Sequence, residues 1–95
     1  MAMDYYTISG TAWTVITISG QTGTCWLNDP ITNGNCVIYH SSSIPDTSKK
    51  VYGKKVYKST KNNDVCIIDS DNTTDIYYAM VDNESGSGTI IVDVV

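Results

Sequence analysis

The run Ala12-Trp13-Thr14-Val15-Ile16-Thr17-Ile18-Ser19, closed by Gly20-Gln21-Thr22-Gly23, decides the fold class. Most of its residues are β-branched or aromatic, the types that fit a pleated sheet. Trp13, Val15 and Thr17 alternate with Thr14, Ile16 and Ile18, the period-two signature of a strand with two unlike faces. Gly20 and Gly23 then supply turn conformations at no steric cost. Reading outward in both directions, the same signature recurs and no stretch carries apolar residues at helical spacing.

Eight short strands are predicted, over residues 4–9, 12–19, 24–27, 35–40, 51–58, 65–68, 75–81 and 89–95. Asn28-Asp29-Pro30 is a turn cluster, and Asn33-Gly34 is the strongest hairpin dipeptide in the chain. It leads into a strand with Cys36, Ile38 and His40 on one face and Val37 and Tyr39 on the other. Residues 41–50 are polar, contain Pro45 and form the longest loop. Residues 51–58 set Val51, Tyr52, Val56 and Tyr57 among lysines, which reads as an edge strand or hairpin with a bulge or bend at Gly53. Residues 65–68 read as a buried strand. In residues 75–81, Ile76, Tyr78 and Met80 oppose Tyr77, Ala79 and Val81. Residues 59–63, 69–74 and 82–88 are turns and loops. Short strands joined this way predict one all-β domain over residues 1–95. The expected form is an antiparallel β-sandwich or jelly-roll-like barrel of seven to eight strands. Jelly rolls and immunoglobulin-like sandwiches both fit, but the immunoglobulin cysteine pattern does not, because Trp13 precedes every cysteine and Trp26 adjoins Cys25.

Composition narrows the function classes. The net charge is −4 and there is no Arg, so base reading and bidentate phosphate grips are disfavoured and no nucleic-acid partner is expected. The lysines cluster at 49, 50, 54, 55, 58 and 61, which suits a solvated loop and a protected sheet edge. Phe is absent while Tyr occurs seven times and Trp twice. Those rings have an apolar body and a polar tip, which favours half-exposed sheet faces and interfaces. The longest apolar run is too short to span a bilayer, so no membrane association is expected. The start, Met1 to Tyr6, has neither the basic nor the apolar region of a secretory signal. Cys25, Cys36 and Cys66 are an odd number, which reads as three reduced, mostly buried thiols. A Cys25–Cys36 bridge across a hairpin, in a small secreted domain, is the competing reading.

No constellation for chemistry assembles along the chain. Cys25, Cys36, His40 and Cys66 lack the close pairs of structural zinc sites. Asp69, Asp71 and Asp75 begin like an acidic calcium loop, but Thr74 and Met80 stand where an EF-hand needs Gly and Glu. His40 beside Ser41, Ser42 and Ser43 is a list of types with no nucleophile elbow. A non-enzymatic protein without cofactor or metal is therefore expected. Sugar binding is the serious small-ligand alternative, with Trp13, Trp26, Tyr39, Tyr52, Tyr57, Tyr77 and Tyr78 as candidate platforms.

Four stretches carry a family resemblance: Trp13-Thr-Val-Ile-Thr-Ile-Ser-Gly-Gln, Val37-Ile-Tyr-His-Ser, Asp75-Ile-Tyr-Tyr-Ala and the closing Ile90-Ile-Val-Asp-Val-Val. Together they resemble small virion proteins of tailed bacteriophages, the head-decoration, auxiliary-capsid and head-fibre class. The resemblance covers most of the chain as an order of strands rather than as a site motif. It implies a compact β-domain that docks on the outside of an assembled capsid, as a trimer or other small homo-oligomer. Its partners would be the major capsid protein or other virion subunits. Its location would be the virion, assembled in the host cytoplasm. The three cysteines and the lack of a capsid-anchoring tail depart from the class. The expected contact surface is Tyr52, Tyr57, Trp26, Ile91 and Val95, with residues 41–50 and 89–95 as contact regions. The alternative function is a receptor- or carbohydrate-binding β-sandwich module.

Overall fold

The structure, a computed structural model, describes residues 2–17, 20–58, 64–69 and 75–95. Within them lie strands β1 (Ala2–Ser9), β2 (Thr14–Val15), β3 (Thr22–Leu27), β4 (Cys36–Ser41), β5 (Lys54–Val56), β6 (Cys66–Asp69), β7 (Ile76–Val81) and β8 (Ser87–Val94). A 3₁₀ segment, Thr47–Tyr52, precedes β5. All pairings are antiparallel. One sheet runs β1-β8-β3-β6 and the other β2-β7-β4-β5. β1 pairs with β8, β2 with β7, β3 with β6 and β4 with β5, as in one long hairpin of eight strands. Rolling that hairpin also brings β8 against β3 and β7 against β4. This is the strand order of a jelly roll. The all-β antiparallel sandwich read from the sequence is thus the observed fold.

Alternation along the strands builds the core between the sheets. Ile8, Cys25, Leu27, Cys66, Ile68, Ile90 and Val92 point inward from the first sheet. Cys36, Ile38, Val56, Tyr77, Ala79 and Val81 meet them from the second. Burying an Ile or Val side chain contributes about 1.5–3 kcal/mol each, so this cluster is the main source of stability.

Both sheets also carry apolar residues on their outer faces. On the second sheet, Val37 pairs with Met80 and Tyr39 with Tyr78. Together with Trp13 and Ile76 they form a separate cluster. The loop before β5 covers it: the Trp13 indole Nε1–H donates to the Asp46 carbonyl at 3.0 Å. Asp46 also caps the 3₁₀ segment, its carboxylate accepting from the Ser48 amide at 2.9 Å. Gly53 closes the cover because a Cβ there would lie 2.2 Å from Val37 Cγ1. Trp13→Phe keeps an aromatic ring and loses the indole donor. It is expected to lower stability by about 1 kcal/mol, read from the urea midpoint at constant slope.

Four sequence readings need correction. The strand expected over residues 12–19 shrinks to Thr14–Val15. Both Ile16 N–H and Thr17 N–H reach the one carbonyl of Tyr77, at 2.9 and 3.4 Å, a bulge that interrupts the ladder and turns Thr17 inward. There the Thr17 hydroxyl accepts from the Tyr77 amide at 3.2 Å; Ile18 and Ser19 lie outside the described residues. In residues 51–58 only Lys54–Val56 is strand, while Val51 and Tyr52 belong to the 3₁₀ segment. The edge position read for this region holds. Residues 65–68 are not a buried strand throughout, for Ile67 is 73% exposed. Asn33 and Gly34 both have positive φ, 56° and 136°, yet they join no hairpin, because β3 and β4 belong to different sheets. The turn readings for residues 59–63 and most of 69–74 fall outside the described residues.

One polar clamp ties the start of β4 to the end of β7. Asp82 accepts from the Asn35 amide at 2.8 Å and from its side-chain Nδ2 at 3.3 Å, with Lys55 Nζ 3.8 Å away. Partial burial opposes its charge, but the Asn35 donors and Lys55 hold the carboxyl below its ordinary value of 3.8. A depressed folded value means the clamp contributes fully above the unfolded value and fades as pH falls through the folded one. Asp82→Ala should cost about 1 kcal/mol at neutral pH. That gap from wild type should narrow in urea titrations run in acid, below the clamp's folded value.

Candidate functional site

The outer face of the first sheet exposes several apolar side chains. Register sets its side chains in rows. Tyr5 pairs with Ile91, and Ile91 with Trp26. In the next row Met3 pairs with Asp93, Asp93 with Thr24, and Thr24 with Ile67. Met3, Tyr5 and Ile67 are 50%, 62% and 73% exposed. Ile91 is buried to 6% at the centre of its row, and Trp26 is half-buried. Within this apolar patch Asp93 keeps a carboxylate oxygen, Oδ1, that is buried and makes no hydrogen bond. Buried polar atoms normally find partners, so this oxygen marks a place where a donor is wanted.

The five expected contact residues do not form one surface. Trp26 and Ile91 are neighbours on this face. Val95 extends β8, its amide bonded to the Thr22 carbonyl at 2.9 Å. Tyr52 sits on the 3₁₀ segment over the other sheet, and Tyr57 follows the edge strand β5. Within residues 41–50, the other expected contact region besides 89–95, Asp46 offers the carbonyl that accepts from Trp13. Sequence reading missed Met3, Tyr5 and Ile67. The available signal was the alternation within residues 65–68, where apolar side chains of both parities cannot all face one core.

A second feature lies where the edges of β5 and β6 approach each other. A cleft of about 300 Å³ is lined by Ile38, His40, Lys54, Val65, Cys66, Ile67 and Tyr77. His40 Nδ1 is 2.7 Å from Asp75 Oδ2, and its ring stacks on Tyr77 with centroids 5.1 Å apart. A neighbouring depression of about 350 Å³ is bordered by Tyr39, His40, Tyr52, Gly53 and Lys54. All three cysteines are free and buried, and Cys25 faces Cys66 across paired strands rather than Cys36.

No family model, curated protein or solved structure matches this chain. Among the described residues, no three of His, Cys, Asp or Glu stand together as a metal site. The acidic loop weighed for calcium falls largely in residues 70–74, outside the described residues. No helix among them is long and apolar enough to cross a membrane. Of the aromatic residues weighed as sugar platforms, Trp13, Tyr77 and Tyr78 are buried, while Tyr52 borders the larger depression. Trp26 lies on the first sheet and Tyr52 on the 3₁₀ segment over the second, so no single sugar site holds both.

Proposed function

We propose that this chain is a non-enzymatic virion protein that docks on a tailed-phage capsid through the outer face of the β1-β8-β3-β6 sheet. The observation that carries the reading is the contrast between the two outer faces. Each is apolar, but among the described residues the chain covers one with its own loop and leaves Met3, Tyr5 and Ile67 exposed and Trp26 half-exposed on the other, around the buried Ile91. Exposed patches of this kind mark interaction sites. The unpartnered Asp93 Oδ1 adds chemistry: the capsid surface would present a Lys, Arg or amide donor within an apolar setting. Jelly rolls recur in viral capsids and in lectins alike, so the fold by itself does not choose between them.

Size argues for several copies acting together. Four strands span about 19 Å and eight residues about 27 Å, a footprint of roughly 500 Å². A standard stable interface uses about 800 Å² per partner. One face alone would bind weakly, whereas a trimer on a repeating lattice gains avidity without new contacts. The free edge of β1 supplies a means of self-association, since its eight residues contain no Lys or Pro to block pairing. Co-sedimentation with capsids that lack the protein, alongside light scattering of the free chain, tests this. Saturable binding and a mass of two or three chains are expected; a monomer that stays in the supernatant contradicts the proposal.

The depression beside Tyr52 supports the second reading, a receptor- or carbohydrate-binding module. It joins an exposed ring to Tyr39, His40 and Lys54. Glycan-array binding that is lost in Tyr52→Ala and kept in Trp26→Ala would favour it.

A further inference from the structure

The cleft between the sheet edges is lined by a cysteine that is only 4% exposed, and a second cysteine stands opposite it on the paired strand. Cys66 lines the cleft with Lys54 and His40. Cys25 is its direct neighbour in the β3–β6 register, and both side chains belong to the same buried cluster. Opposed residues of antiparallel strands have Cα atoms about 4.5–5.5 Å apart, inside the span a disulfide bridges. Cys36 belongs to the other sheet.

We propose that Cys66 and Cys25 are a thiol–disulfide exchange pair, in which Cys66 attacks a small anionic disulfide entering the cleft and Cys25 resolves it. The Cys66 thiolate displaces one thiolate of the external disulfide and forms a mixed disulfide. Cys25 sulfur then attacks Cys66 sulfur and expels the second thiolate. The two Cys protons pass to the departing thiolates. The protein loses two electrons, the reagent gains them, and the products are one Cys25–Cys66 disulfide and two small thiols. Lys54 selects for negative charge in the reagent. The role of each thiol agrees with its acidity. The neighbouring Cys25 thiol holds Cys66 below its ordinary value against the opposing effect of burial, with Lys54 and His40 helping. The Cys66 side chain and burial raise Cys25, and burial pushes Cys36 up to about 12. The inference goes beyond the docking reading and does not rest on it.

The test is incubation of the native chain with oxidised glutathione, followed by free-thiol counting and peptide mass mapping. The expected wild-type product is lighter by two hydrogens, keeps Cys36 free and links Cys25 to Cys66. Cys25→Ser should stop at a glutathione adduct on Cys66, and Cys36→Ser should react like wild type. Lys54→Gln should slow the reaction about fivefold with oxidised glutathione, the effect of losing one nearby charge at high dielectric, and leave cationic cystamine no slower. Three thiols still free in the native wild type would overturn the proposal. So would a map that joins Cys36, or an adduct that forms on Cys25 first. Because the wild-type map alone decides the pairing, a variant that fails to fold leaves the test intact.

Discussion

Ile90→Ala should lower the free energy of unfolding by about 3–4 kcal/mol and the melting temperature by roughly 15–25 °C. Ile90 is fully buried and sits in β8, the strand that pairs with β1 through Tyr6 and with β3 through Leu27. Its side chain fills the gap between the sheets with Val81, Leu27 and Val92. Neighbours held in two ladders cannot collapse into the space left by the lost carbons, so the cavity persists and its cost adds to the lost burial. A chain of this length has a total stability of roughly 5–14 kcal/mol, so the variant gives up a large share of it. Tyr52→Ala, at a side chain 74% exposed, should change stability by less than about 0.5 kcal/mol. Thermal and urea unfolding of both variants separates core from surface.

Trp26→Asp should weaken capsid binding by at least about thirtyfold while the fold persists, the loss expected at an interface hot spot. Trp26 completes the row with Ile91 and Tyr5, where a partner would exclude water over the largest aromatic area. An Asp there places a second carboxylate near Asp93, whose Oδ1 already lacks a donor. The partner would then have to desolvate two charges instead of one. Trp26 is only half-exposed, so Ile67→Asp serves as a second variant. Ile67 is 73% exposed, and its replacement adds charge to the same face with little effect on packing. Equilibrium co-sedimentation of both variants, with circular dichroism to confirm the fold, measures the loss. Wild-type affinity in both would rule this face out as the docking surface.

The existence of the strands was legible in residue choice, because Val, Ile, Thr and Tyr alternate between turn residues. The run at residues 12–19 shows where such reading stops. Its composition is the most strand-like in the chain, yet a bulge at Ile16 and Thr17 interrupts its pairing, and among the described residues only Thr14–Val15 is strand. Propensity describes a residue's fit to a sheet, whereas the bulge depends on a carbonyl of Tyr77 far along the sequence. The 3₁₀ segment was hidden for a related reason. Val51 and Tyr52 look like strand residues, but Asp46 caps the turn and its carbonyl receives the indole of Trp13, also distant in sequence. The candidate site was half legible. Trp26 and Ile91 are the expected contact residues that fall on this face, while Tyr5, Met3 and Ile67 join them only through the register of β1, β8, β3 and β6. Apolar residues on both parities of a strand do not reveal which parity faces the core. The loop that covers one outer face and not the other makes that distinction.

Hydroxyl-radical footprinting of the free and capsid-bound chain tests the central claim most directly, since it reports which face a partner covers. Docking through the first sheet predicts that Met3, Tyr5 and Trp26 become protected on the capsid while Tyr52 and Tyr57 stay as reactive as in the free chain. Protection of Tyr52 and Tyr57 with Met3, Tyr5 and Trp26 unchanged would contradict it.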